Sequence, residues 1–174
     1  HRLCDIAIKH DLDVLHFDYL FLDKKGLKDV SPSYYESAVI RGEEFFFHKG
    51  DEWWKKNIEV WRRLHKREFL IKNELYFEEN VDFEDFIYSI KLFLLAKRVM
   101  HIHETPYVYR LNVLKNFLNK NDGRRLAEYI NLANRSALIV QSLSKNKVIF
   151  KSTLSVFIQY TINSTINSLI NVSL

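Results

Sequence analysis

NVDFEDFIYSIKLFLLAKRVMHIHETPYVYR, Asn80–Arg110, holds two patterns that together decide the fold. Phe83, Phe86, Ile87, Ile90, Phe93 and Leu94 recur at three-and-four spacing, with Leu95 and Ala96 widening the apolar face, which predicts a helix. Beyond it, Val99 and Tyr107–Tyr109 alternate around Pro106, which predicts an extended strand. The helix opens on acids. Asp82 suits an N-cap, Asp85 stands three residues later, and Glu84 and Asp85 face the positive end of the helix dipole. A carboxylate in that field is also held in its ionised form, as a general base must be. Capping explains the pair without a reaction, and the pair alone does not separate the two readings.

Upstream, Leu3–His10 reads as a short helix. In DLDVLHFDYLFLD, Asp11–Asp23, residues Val14, Leu15, Phe17, Tyr19, Leu20, Phe21 and Leu22 make a strand that ends at the turn DKKG with Gly26. Ser31–Gly50 is a loop and a mixed segment, punctuated by Gly42 and Gly50. Trp53, Trp54 and Trp61 follow as aromatic anchors, then a helix over Arg67–Asn73 and a short strand in ELYF, Glu74–Phe77. After Arg110 every pattern is helical, so residues 1–110 read as a mixed α/β unit and 111–174 as a helical extension, with the division near Arg110–Leu114. The tail, Ser152–Leu174, carries no charged side chain. It is too rich in Ser, Thr, Asn and Gln to span a bilayer. Leu154, Ile158, Ile162, Ile166, Ile170 and Leu174 recur at every fourth position beside Phe157 and Leu169. That stripe fits packing onto this protein or self-association with a second copy, and less well a membrane surface.

Composition narrows the function classes. A chain of 174 residues, 47% apolar and 14% aromatic, can bury a core and is not disordered. Only four Gly occur, and neither G-x-G-x-x-G nor a P-loop is present, so any nucleotide is held by other means. Cys4 is the single cysteine, which excludes a disulfide framework and a cysteine zinc site within one chain. The net charge of +4 is spread among interleaved acids, which argues against nucleic acid as a partner. HRLCDIAIKHDLD lacks an initial Met and an apolar h-region, and reads as the middle of a longer chain.

From Val60 to Arg110 an ordered set of motifs resembles the C-terminal half of the catalytic domain of family 2 glycosyltransferases of the bacterial surface-polysaccharide type. The elements are Trp61, the basic segment Leu64–Leu70, Phe77–Glu79, the Glu84-Asp85 pair opening a helix, and a strand ending in Tyr107–Arg110. With the strand upstream the resemblance covers about residues 5 to 110. It implies the acceptor-side half of a GT-A-type fold, whose parent enzyme transfers a sugar from a nucleotide-activated donor to a polysaccharide or lipid-linked acceptor. The setting implied is capsule or similar synthesis, in the cytoplasm or at the inner membrane face. By the resemblance Asp85 is the inverting enzyme's general base and Glu84 its neighbour, orienting it or binding acceptor. Trp61, Trp53, Glu79, Tyr107, Tyr109 and Arg110 are candidates for substrate contact. A divalent cation, Mn²⁺ or Mg²⁺, is expected in the parent enzyme and not on this chain, which alone is expected to be inactive.

Two departures shape that expectation. The family's Asp-x-Asp metal motif ends an apolar strand, whereas DLD, Asp11–Asp13, precedes one here, so the nucleotide-binding half is expected before residue 1. Where relatives carry a polar loop after Tyr-x-Tyr-Arg, LNVLKNFLNKN looks helical. His101 and His103 share a strand face, and His103 is a weak metal candidate, although isolated strand histidines are usually structural. The rival reading is a non-catalytic domain that binds a protein partner through its aromatic segments and uncharged C-terminal helix.

Overall fold

The computed structural model describes residues 1–29, 38–47, 58–81, 84–110 and 123–144, with Ile162 alone beyond them. Trp53, Trp54, Asp82, Phe83, the segment LNVLKNFLNKN and all of the uncharged tail but Ile162 therefore lie outside the described residues. The elements in order are α1 (Arg2–Lys9), β1 (Val14–Asp23), β2 (Gly26–Asp29), α2 (Gly42–Phe47), a 3₁₀ turn (Val60–Arg62), β3 (Arg63–His65), α3 (Arg67–Lys72), α4 (Glu84–Leu95), β4 (Val99–Arg110) and α5 (Gly123–Leu143). The chain is mixed α/β: a four-stranded mixed sheet with flanking helices.

β1 is the strand with which the other three pair. β4 runs parallel to it from Val14↔Val99 to Leu22↔Arg110. β3 takes its first residues, Val14–His16, and β2 its last, Leu20–Asp23, both antiparallel and both on the edge that β4 leaves open. The β1–β2 turn closes on Gly26 at φ 113°, a conformation side chains disfavour. Between Phe17↔Ile102 and Tyr19↔Tyr107 the ladder breaks register, β4 advancing five residues while β1 advances two. Pro106 lies inside that bulge, where its missing N–H costs the ladder nothing.

Alternation along β1 and β4 divides the core between the two faces of the sheet. Leu15, Phe17, Met100 and Ile102 join Leu12 and the α1 residues Leu3, Ile6 and Ala7 on one face. Val14 and Val99 join the larger cluster on the other face, with Phe45, Phe46, Phe86, Ile90 and Phe93. α4 lies between the sheet and α5, which is why its buried residues run almost without a break from Phe86 to Phe93. Among the described side chains of α5, Leu132, Ser136 and Val140, one per turn, are those buried against it.

The predicted strand in ELYF is not formed. The segment instead closes α3: Glu74 takes a left-handed φ of 51°, and the Leu75 N–H donates to Leu70 O at 3.0 Å. Leu75 is buried while Tyr76 and Phe77 are exposed. Four residues, three of them apolar, cannot tell a strand from a helix exit, because neither pattern completes a period.

α2 meets α4 at a glycine. The Gly42 N–H donates to Ala96 O at 2.9 Å, and a Cβ at Gly42 would sit 2.3 Å from Phe93 O and 2.9 Å from the Ala96 Cβ. Both obstacles belong to α4 and its exit, so the helices would have to separate. Gly42→Ala is expected to destabilise the fold by about 1–3 kcal/mol, read as a fall in the urea midpoint at unchanged m-value. An unchanged midpoint would mean that α2 moves away without cost.

Candidate active site

On the α4 side of the sheet, β1 and β4 change character along their length. Val14 beside Val99 is apolar, His16 faces His101 in the next pair of that side, and Asp18 then meets His103 across the bulge. His16, Asp18 and His101 are fully buried, and His103 is the one that reaches solvent, its side chain 44% exposed. His16 Nδ1 lies 2.7 Å from His101 Nδ1, so one ring donates and the other accepts, and a single proton lies between them. His101 Nε2 is 3.4 Å from Asp18 Oδ1, and His103 Nδ1 is 2.9 Å from Oδ2. Burial opposes ionisation of Asp18, but the hydrogen bonds to His101 and His103 outweigh it and hold the carboxyl below its usual range. This polar group lies in the first half of each of the two parallel strands, beside the bulge.

The 3₁₀ turn and β3 bring two adjacent arginines under that group. Arg62, 2% exposed, donates from Nε to Phe17 O at 3.3 Å and lies 3.6 Å from Asp18 and 3.9 Å from Glu59. Its guanidinium also covers the Tyr19 ring at 4.8 Å. Arg63 turns the other way and donates to Ser89 Oγ at 2.8 Å, its guanidinium 4.6 Å from the Phe93 ring centre. Burial lowers its pKa to about 9, against the pull of Glu59 and other acids.

Asp85, in the first turn of α4, completes the arrangement. Burial and then the neighbouring Glu84 push its carboxyl up, while Arg63 and the backbone N–H groups at the helix start pull it back. Glu59 is pushed up in the same way, first by burial and also by Asp85. Two half-buried carboxylates thus share the field of one buried guanidinium, with affinities for a proton raised above those of solvated acids.

The other predicted residues fall into two groups. Trp61 stacks on Tyr107 and Tyr109, ring centres 4.6 and 5.4 Å away, and meets Tyr19 edge-on at 4.8 Å. Tyr107 and Tyr109 remain about 40% exposed, so this aromatic patch opens to solvent next to Arg62. Glu84 is exposed at the same helix start as Asp85, Arg110 is exposed at the end of β4, and Glu79 is exposed in a turn. Glu78 is tied instead to Lys91 and Arg135, a bridge from α4 to α5. In DLD, the Asp13 carboxylate accepts from the N–H groups of Lys97 and Arg98, and Asp11 pairs with Lys66. Both are holding the chain together.

Glu59, Arg62, Arg63, Asp18 and His16 were not legible as site residues. The arginines read as part of a basic run, and Asp18 as a polar position in an apolar strand. The available signal was parity: His16 and Asp18 on β1, and His101 and His103 on β4, each lie two apart and so share a face.

Close by, His65 on β3 is half-buried edge-on to Tyr88, and removal from solvent, aided by Arg63, lowers its pKa from 6.5 to about 4. The unfolded chain therefore takes up a proton below about pH 6.5 that the folded one refuses until about pH 4. Stability is expected to fall across that window by about 3 kcal/mol, and His65→Phe should flatten the loss in urea titrations at pH 7 and pH 4. Equal slopes in both proteins would show that other groups drive the acid sensitivity.

No known family model matches the chain, and no curated protein does. Among solved structures it is similar to TarS of S. aureus, a glycosyltransferase. With TarS 1–349 in complex with UDP-GlcNAc the TM-score is 0.65 at 14% identity, over 89% of this chain and 42% of that one. With the UDP complex the values are 0.62 and 13%, over 89% and 40%. The chain spans about two fifths of the TarS 1–349 structures it matches, and the likeness is one of fold.

Proposed function

We propose that this chain is the acceptor-side part of a GT-A-type glycosyltransferase, acting by inversion with Asp85 as general base. The observation that carries the reading is the setting of Asp85. It stands at a helix start on a glycosyltransferase-like fold, half-buried, its proton affinity raised by burial and Glu84 and restrained by Arg63. An acceptor hydroxyl is a poor nucleophile until its proton is removed. Asp85 would take that proton as the oxygen attacks the anomeric carbon, and the nucleoside diphosphate would leave from the opposite side. Glu84 orients the base or the acceptor. The patch of Trp61, Tyr107 and Tyr109 offers an apolar face to a sugar ring, and Arg110 can meet a diphosphate.

The donor is a nucleotide sugar, a class that fits the UDP and UDP-GlcNAc bound by TarS. Its Mn²⁺ or Mg²⁺ favours oxygen ligands, a carboxylate or two together with the donor's own phosphates. Among the described residues the one metal-competent cluster is Asp18, His101 and His103, with two imidazoles and one carboxylate, which does not suit that role. We place donor and cation on residues outside this chain. Incubating a protein that joins this chain to a donor-binding half with labelled nucleotide sugars and glycan or lipid-linked acceptors is expected to give transfer. Binding of a protein partner with no transfer from any donor would favour the interaction-domain reading.

A further inference from the structure

We infer that Asp18, His101 and His103 form a binding site for a first-row divalent cation of the zinc class. The three residues come from two parallel strands, and their ligand atoms all lie within 4.8 Å of one another. Ligands of a tetrahedral zinc ion, with bonds of about 2.0–2.1 Å, stand about 3.3 Å apart. The contacts present are 3.4 Å for His101 Nε2 to Asp18 Oδ1 and 2.9 Å for His103 Nδ1 to Asp18 Oδ2. Small side-chain rotations bring the set to that spacing.

The surroundings are those of a held site. For His101 Nε2 to bind a metal, its Nδ1 must carry the ring proton, and His16 Nδ1 at 2.7 Å is placed to accept it. Arg62, 3.6 Å from Asp18 Oδ1, engages the oxygen on the side away from His103 and leaves Oδ2 to the cation. Its positive charge weakens cation binding, so the site favours a metal with strong nitrogen affinity over Mg²⁺. Entry is through the bulge, because His103 is the exposed member. A cation there would tie β1 and β4 together where their ladder is broken. The inference does not depend on the proposed transfer reaction.

The test is direct titration of the 174-residue chain with Zn²⁺ by calorimetry, paired with thermal unfolding and with the visible d–d spectrum of added Co²⁺. One equivalent should bind, and Zn²⁺ at about a hundred times its dissociation constant should raise the midpoint by several degrees. Mg²⁺ should not. His103→Gln, at an exposed position, should keep the fold, weaken Zn²⁺ at least tenfold and remove the Co²⁺ band. Asp18→Asn should act alike where it folds. Absence of a Zn²⁺ shift, an equal response to Mg²⁺, or unchanged Zn²⁺ binding in His103→Gln would overturn the site.

Discussion

Asp85→Asn is expected to reduce sugar transfer by about 10²- to 10⁴-fold, the usual contribution of a positioned general base. The fold should survive the change. Burial and Glu84 raise the Asp85 pKa above 3.8, so at neutral pH the folded state bears the cost of keeping the carboxylate ionised. A neutral amide of the same shape removes that cost, and the unfolding midpoint should hold or rise slightly. A capping role alone gives the opposite pattern, with stability changed and transfer kept. The pH dependence provides a second readout. The base works only when ionised, so kcat/KM should fall as pH drops through the raised pKa, with an acid limb above that of a solvated aspartate. Steady-state kinetics on the joined protein, with urea unfolding of the same samples, decides between them. Full activity in Asp85→Asn would end the general-base reading.

Arg62→Met should be the most damaging single substitution for stability, costing about 3–5 kcal/mol. Methionine can fill the volume but leaves Phe17 O without its donor and removes the positive charge facing Asp18 and Glu59. Glu59 already holds its proton more tightly than a solvated acid, chiefly through burial. Loss of Arg62 should push it further, so the variant should also gain stability as pH falls from 7 toward 5, relative to wild type. Chemical denaturation at two pH values measures both effects. A loss below about 1 kcal/mol would mean that water reaches the pair and screens it.

Much of the architecture is legible in the amino-acid sequence. The period of Phe86, Ile87, Ile90 and Phe93 gave α4, the apolar run from Val14 gave β1, and the alternation around Pro106 gave β4, because long segments repeat their period often enough to be unambiguous. ELYF failed because it is too short to do so, and its fate was set by the left-handed turn at Glu74 that follows α3.

The candidate site divides along the same line. Asp85, Glu84, Trp61 and the two tyrosines stood out because local pattern and family resemblance mark single positions. What surrounds Asp85 did not: Glu59 and Arg63 reach it from the two ends of a 3₁₀ turn, more than twenty residues away in sequence. The Asp18–His101–His103 cluster likewise needs the parallel pairing of β1 with β4 and the bulge at Pro106. By itself the sequence determined periodicity, and hence which segments become helices and strands and which faces they bury. The tertiary structure alone decided which charges share a buried volume, since proton affinities and metal-ligand spacing depend on distance and burial across strands that composition and local pattern do not encode.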